Sequence, residues 1–181
     1  MNYTLPKSVE VGGAEYRIRW DFRAILDICA ALSDAELTNG DRCEAVLTIF
    51  YPDVDTIPEE HYQEAIEKCF WFIRCGAVER ETNQPQLISW EQDFDLICAP
   101  VSRIVGKDVR GLEEFHWWSW VSAYMEIGDC FFSQVVGIRA KKARGQALDK
   151  QDRDFYRKNR DIIDIKKSYT EAERDILKEW M

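Results

Sequence analysis

The stretch Leu112–Phe132, LEEFHWWSWVSAYMEIGDCFF, is the densest run of large aromatic residues in a chain of 181. After Glu113 and Glu114, and leaving aside the indoles and the Tyr124 hydroxyl, its only polar side chains before Gly128 are His116, Ser119, Ser122 and Glu126. On a 3.6-residue wheel Ser119, Ser122 and Glu126 share a narrow arc, and most of the remaining circumference is apolar. That pattern belongs to a helix enclosed by other helices. The expected fold is therefore mainly α: a single multi-helix domain around a buried, Trp-rich central helix, with Trp117, Trp118, Trp120, Val121, Tyr124 and Met125 turned into the core.

Toward the N-terminus, SVEVGGAEYRIRW (residues 8–20) alternates apolar and polar residues on either side of Gly12-Gly13, which predicts a β-hairpin with a glycine turn. A lone hairpin is marginal in water, so it must pack on the helices. Asp21 is placed to cap a helix carrying Phe22, Ile25, Leu26, Cys29 and Leu32 at helical spacing. Asp41 with Glu44 resembles a capping box ahead of Val46, Leu47 and Phe50. Thr56 and Pro58 are read as the opening of the helix that buries Ala65, Cys69 and Phe70 and ends at Gly76. The polar segment Ala77–Gln86 reads as a surface loop. Ser89 with Gln92 starts a further helix ending at Gly106, which Pro100 is expected to kink or split.

Beyond the aromatic stretch, residues 129–143 form an amphipathic pattern that turns basic at Arg139, Lys141, Lys142 and Arg144, where cations complement a helix C-terminus. From residue 146 the apolar content thins. Residues 149–167 read as one helix with Phe155, Ile162 and Ile163 on a narrow edge, and Thr170 starts a short last helix bearing Ile176, Leu177 and Trp180. So few apolar side chains hold a helix only against a partner surface. The expected organisation is a hairpin plus helical core over residues 1–145 and a charged helical arm over 146–181. The basic run and the last tryptophan are its candidate partner-binding residues: Arg139, Lys141, Lys142, Arg144 and Trp180.

Charge supports this polarity. The net charge is −9, but residues 1–138 carry 11 Lys and Arg against 24 Asp and Glu, whereas residues 139–181 carry 13 against 9. A basic end on an acidic body favours docking onto an acidic protein surface, including another copy, over nucleic-acid binding, since Asp149, Asp152 and Asp154 interleave the cations and repel phosphate. No apolar run reaches membrane-spanning length. The first residues, MNYTLPKSVE, have neither a charged leader nor an apolar h-region. Six cysteines lie mostly on apolar helical faces, as small hydrophobes in a reducing cytosol.

Chemistry-bearing motifs are sparse. His116 beside two tryptophans reads first as a structural histidine at the core edge; Glu113, one turn before it, would be its partner in a catalytic reading. There is no Cys-x-x-Cys pair and no zinc-ligand spacing, no phosphate-binding glycine loop, and no nucleophile motif. The expectation is a protein without catalytic residues, metal or cofactor.

Several segments nonetheless coincide in order: the hairpin LPKSVEVGGAEY (Leu5–Tyr16), the Asp21-Phe22-Arg23 helix start, the aromatic helix ending in Cys-Gly (Phe70–Gly76), WEQDFD (Trp90–Asp95), His116-Trp117-Trp118, and FFSQ followed by Arg139 (Phe131–Arg139). Across roughly residues 5–165 the chain resembles the bacteriophage family named after a "gene product fifteen", encoded in the tail module of siphophages and prophages of Gram-positive bacteria. The resemblance implies a tail-assembly chaperone working in the host cell cytoplasm. Its partners would be the tape-measure protein and tail-tube subunits, with self-association a further option and no catalytic residues to carry over. A virion component such as a connector or tail-completion protein, and a small effector acting on a host protein through the His116/Glu113 region, are the alternatives.

Overall fold

The computed structural model describes residues 4–77 and 85–166. Among them are eight α-helices and one two-stranded antiparallel sheet, so the fold is mainly α with an N-terminal hairpin. The chain divides into two compact units. Of the described residues, 4–77 and 114–121 form the first and 85–113 and 122–166 the second.

In the first unit β1 (Ser8–Val11) pairs with β2 (Ala14–Arg17) in the register Val9 opposite Tyr16 and Val11 opposite Ala14. Gly12 and Gly13 both have positive φ, as a two-residue hairpin turn with the strands' own twist requires. The Gly12 N–H donates to Glu64 Oε2 at 2.9 Å, and a Cβ on Gly12 would meet the His61 ring at 2.6 Å. The hairpin thus needs glycine there for close approach as well as for the turn. Val9 and Val11 are buried beneath it.

Helix α1 (Phe22–Ser33) is capped by Asp21, whose carboxylate accepts the Arg23 N–H. Helix α2 (Asn39–Phe50) begins earlier than Asp41 suggested: Thr38 is the N-cap and Asp41 the reciprocal capping-box partner, because a Thr-x-x-Asp box satisfies two orphan donors at once. The Thr38 hydrogen bonds hold the Asp41 carboxyl below the usual carboxylate range. Two short 3₁₀ turns, Val54–Thr56 and Glu59–His61, precede α3 (Tyr62–Ile73), so Thr56 caps no α-helix. Phe22, Ile25, Ile28, Phe50, Cys69 and Phe72 are fully buried and form the core.

The second unit holds α4 (Trp90–Val105), α6 (Phe131–Ala143), α7 (Lys150–Lys158) and α8 (Arg160–Ile163). Ser89 caps α4, and Gly106 closes it in the left-handed conformation. Pro100 does not split α4; the helix runs through it, with the ring buried. Gly145, also at positive φ, ends the turn after α6.

Helix α5 spans Trp117–Met125, five residues later than the aromatic run suggested. The first five residues of α5 belong to the first unit and the last four to the second. Trp117, Trp120 and Ala123 are buried, whereas Trp118, Val121 and Tyr124 are half-buried and Met125 is 75 % exposed. The helix is therefore not enclosed on all sides, and Met125 is not a core residue. Nor does the structure divide at residue 145. Residues 146–166 pack into the second unit, where Ile163 joins Val135 and Ile138 in a buried cluster flanked by Leu148, Phe155, Tyr156 and Ile162. The expected single helix over 149–167 breaks at Asn159 into α7 and α8. The predicted helix from Thr170 with Ile176, Leu177 and Trp180, and most of the Ala77–Gln86 loop, lie outside the described residues.

Candidate partner-binding surface

His116 comes first because the aromatic stretch made it the candidate acid or base. It forms an isolated antiparallel bridge with Asp21: the Phe22 N–H donates to Phe115 O at 3.0 Å and the Trp117 N–H to Trp20 O at 2.9 Å. The Asp21 carboxylate accepts the Phe115 N–H at 2.7 Å. This pairing between residues far apart in sequence stops the helix from starting before Trp117. The His116 ring stacks on Trp20, with centroids 5.4 Å apart. Its Nδ1 accepts the Trp118 N–H at 3.1 Å, which assigns the proton to Nε2, 2.9 Å from the Pro6 carbonyl. Both nitrogens are engaged by backbone, and Glu113 makes no hydrogen bond to the ring among the described residues. A ring whose proton and lone pair are both committed is a staple between the N-terminal segment and α5.

Burial holds the His116 pKa below the ordinary 6.5, against the Pro6 hydrogen bond, which favours the charged form. The unfolded chain then takes up a proton before the folded one does as pH falls. The contribution of His116 to stability is complete above about pH 6.5 and declines below it, by at most about 1.4 kcal/mol per pH unit, until the folded-state value is passed. Urea unfolding at stepped pH should show this slope in the wild type and lose it in His116→Asn. An unchanged slope would mean that His116 titrates equally in both states.

Four of the six thiols are equally poor candidates for chemistry. Burial pushes Cys29, Cys75 and Cys98 up to about 11 and raises Cys69 as well, so these four are protonated at neutral pH and poor nucleophiles. Among the described residues no group of three or more His, Cys, Asp or Glu side chains is arranged to hold a metal ion. Nor is any helix long and apolar enough to cross a membrane.

The basic run does not form one free surface. Arg139 is 5 % exposed and lies in a bidentate ion pair with Asp93, itself fully buried: Nη1 donates to Oδ2 at 2.6 Å and Nη2 donates to Oδ1 at 2.9 Å. Its remaining donors go to the carbonyls of Ile163 (2.6 Å), Leu87 (3.0 Å) and Ile162 (2.8 Å). All five guanidinium N–H groups are thus satisfied. Arg139 is therefore corrected from a partner-binding candidate to the clamp of the second unit. A guanidinium with this many partners is stable where an exposed one would be solvated. Gln92 assists by donating to Ile162 O and Asp164 O and accepting the Lys166 N–H.

Lys141 pairs with Asp152, and Lys142 with Asp164 and the Tyr156 hydroxyl, which fastens α7 and α8 onto α6. Both pairs are partly solvated and worth little each. Arg144 is exposed beside Gly145, and Trp180 lies outside the described residues.

Sequence reasoning missed the apolar slot between α4 and the start of α6. Leu96, Ala99, Pro100, Cys130, Phe131 and Phe132 line a cavity of about 380 Å³ together with Asp95 and Arg103. Phe131, expected in the core, is 41 % exposed; one contact of its ring is with Phe155 of α7, at 5.3 Å between centroids. Ala99 and Arg103 are exposed too, so the slot opens to solvent. Its signal in the sequence is a helical face, positions 95, 96, 99, 100 and 103, that is part apolar and part charged; nothing local says that α6 leaves it uncovered.

A family model described as bacteriophage Gp15 protein matches residues 1–165. The chain belongs to that family. No curated protein and no solved structure matches it. The match to the Gp15 family spans both units and nearly all the described residues. It takes in the His116 staple, the Asp93–Arg139 clamp and the α4–α6 slot. Asp93 and Arg139 sit in two of the segments that carried the resemblance, WEQDFD and FFSQ with its following arginine, and in the structure those segments hold each other.

Proposed function

We propose that this protein is a non-catalytic chaperone of phage tail assembly, one that binds the tape-measure protein, and tail-tube subunits with it, in the host cell cytoplasm. Membership of a bacteriophage family supports a phage role. The observation that carries the binding role is the slot between α4 and α6: a mostly apolar, solvent-open surface with two charged side chains, Asp95 and Arg103, in its lining, as grooves that accept a helix from another protein have. His116, the residue best placed for acid–base chemistry, has both ring nitrogens engaged by backbone, which supports binding over catalysis.

The test is co-expression with the tape-measure protein encoded nearby, followed by size-exclusion chromatography with light scattering. The expected result is a soluble complex carrying several copies of this chain per client. A client that stays insoluble, with no complex surviving purification, overturns the proposal. Mass spectrometry of purified virions separates the roles further: a chaperone is absent from finished particles, whereas a connector or tail-completion protein is present at fixed copy number.

A further inference from the structure

The slot has a polarity. Residues 95, 99 and 103 recur every four positions on one face of α4, so Asp95 and Arg103 mark points roughly 12 Å apart along the helix, at 1.5 Å per residue. Beyond Arg103 the surface continues into a second concavity that shares Ala99 and Arg103 with the slot and adds Lys107 and Arg110. Arg110 is paired with Asp108. Lys107 is exposed and makes no ion pair among the described residues, and Arg103 spends one donor on the Ile127 carbonyl, with no carboxylate partner. An apolar floor about two helical turns long therefore runs from Asp95 toward Arg103 and Lys107, two cations without a carboxylate partner, with the Asp108 carboxylate engaged by Arg110. It does so on a chain whose net charge is −9.

We propose that the slot is the docking site for one amphipathic helix of a client protein, seated with its apolar ridge on Leu96, Ala99 and Phe131 and its acidic end over Arg103 and Lys107. The charge layout specifies this occupant. Lys107 and Arg103 attract carboxylates at one end, Asp95 favours a cation or neutral residue at the other, and the floor between them takes side chains at i, i+3 or i+4 and i+7. A small polar ligand does not fit, because no buried polar side chain points into the cavity to orient it. A second copy of this chain is disfavoured by its acidic body, which would bring like charge to Asp95 along with opposite charge to Lys107.

The inference rests on the binding role proposed above and gives that role a location and a direction. Its test uses the full chain and a synthetic amphipathic helix of about four turns, fluorescently labelled, with Leu and Ala on one face and Glu in its last turn. A control peptide carries Lys in place of Glu. Anisotropy titration should show the acidic-ended peptide binding at least about tenfold more tightly than the control, with the preference shrinking as salt is raised. Phe131→Glu should abolish binding and Lys107→Glu should erase the preference. Met125→Glu, at an exposed position outside the slot, should change neither. All three positions are solvent-exposed, and far-ultraviolet circular dichroism checks that each variant folds.

Equal binding of the two peptides, or binding that survives Phe131→Glu, overturns the proposal. So does self-association that Phe131→Glu abolishes in the absence of peptide binding, since the slot's occupant would then be a second copy. The two readings fail separately. If Phe131→Glu still keeps the tape-measure protein soluble, the slot assignment falls and the chaperone role stands. If the wild type does not solubilise it, the chaperone role falls whatever the peptide does.

Discussion

Arg139→Ala is expected to destabilise the protein by about 3–5 kcal/mol, the largest loss from any single side chain outside the aromatic core. The substitution leaves Asp93, fully buried, with a negative charge and only the Ser89 N–H as a hydrogen-bond partner, and it strips a donor from the carbonyls of Leu87, Ile162 and Ile163. An unpaired buried charge costs far more than the intact pair contributes, because desolvation is no longer offset by attraction. Arg139→Lys keeps the charge but offers a compact ammonium with three donors in place of a planar fork with five, so it should recover less than half of the loss. A double variant, Arg139→Met with Asp93→Leu, should be less damaging than Arg139→Ala alone, since no charge is left buried. Urea denaturation gives the free energies. Hydrogen exchange locates the effect, with protection expected to fall first across residues 146–166, where the guanidinium holds the Ile162 and Ile163 carbonyls. A loss below about 1 kcal/mol in Arg139→Ala would place the Arg139–Asp93 pair among ordinary exposed ion pairs.

Trp120→Ala is expected to cost about 3–5 kcal/mol, in the range of large aromatic deletions from a packed core. The indole is fully buried and stacks on Phe22 with centroids 4.4 Å apart and the rings nearly parallel. Phe22 is the first residue of α1 and is itself fully buried, so the cavity would open where α1 and α5 meet in the first unit. Met125→Ala in the same helix, at a position 75 % exposed, should change stability by no more than about 0.5 kcal/mol. The pair of variants checks the reading of α5 directly. Similar losses at both positions would mean that the helix is enclosed all round after all.

That contrast between Trp120 and Met125 marks the limit of what periodicity reveals. The wheel of residues 112–132 identified the central helix and two of its buried tryptophans, Trp117 and Trp120. It also assigned Met125 to the core and started the helix too early, because an apolar side chain permits burial without requiring it. The early start had a specific cause. Leu112 to Phe115 have no local feature that forbids a helix, and what prevents it is the bridge to Asp21, 94 residues away in sequence from the Phe115 amide that its carboxylate accepts. The candidate site divides in the same way. Four cations were read as one exposed patch from their proximity in sequence. Arg139 turned inward to Asp93 and two lysines were drawn to Asp152 and Asp164, each partner brought near only by folding.

Local chemistry alone settled the helical class, the Gly12-Gly13 hairpin, the caps at Asp21 and Ser89, and the stop at Gly106. Each depends on hydrogen bonds and backbone angles within a few residues of one another. The order of its short motifs was enough to point to the phage family. Tertiary structure alone decided which flank of α5 is covered, that Pro100 is carried inside an unbroken helix, that residues 146–166 are clamped into a unit with α4 and α6, and that a slot is left open beside Phe131. Those outcomes depend on which distant surfaces meet, and burial energies, being non-directional, do not encode a partner in the residues that are buried.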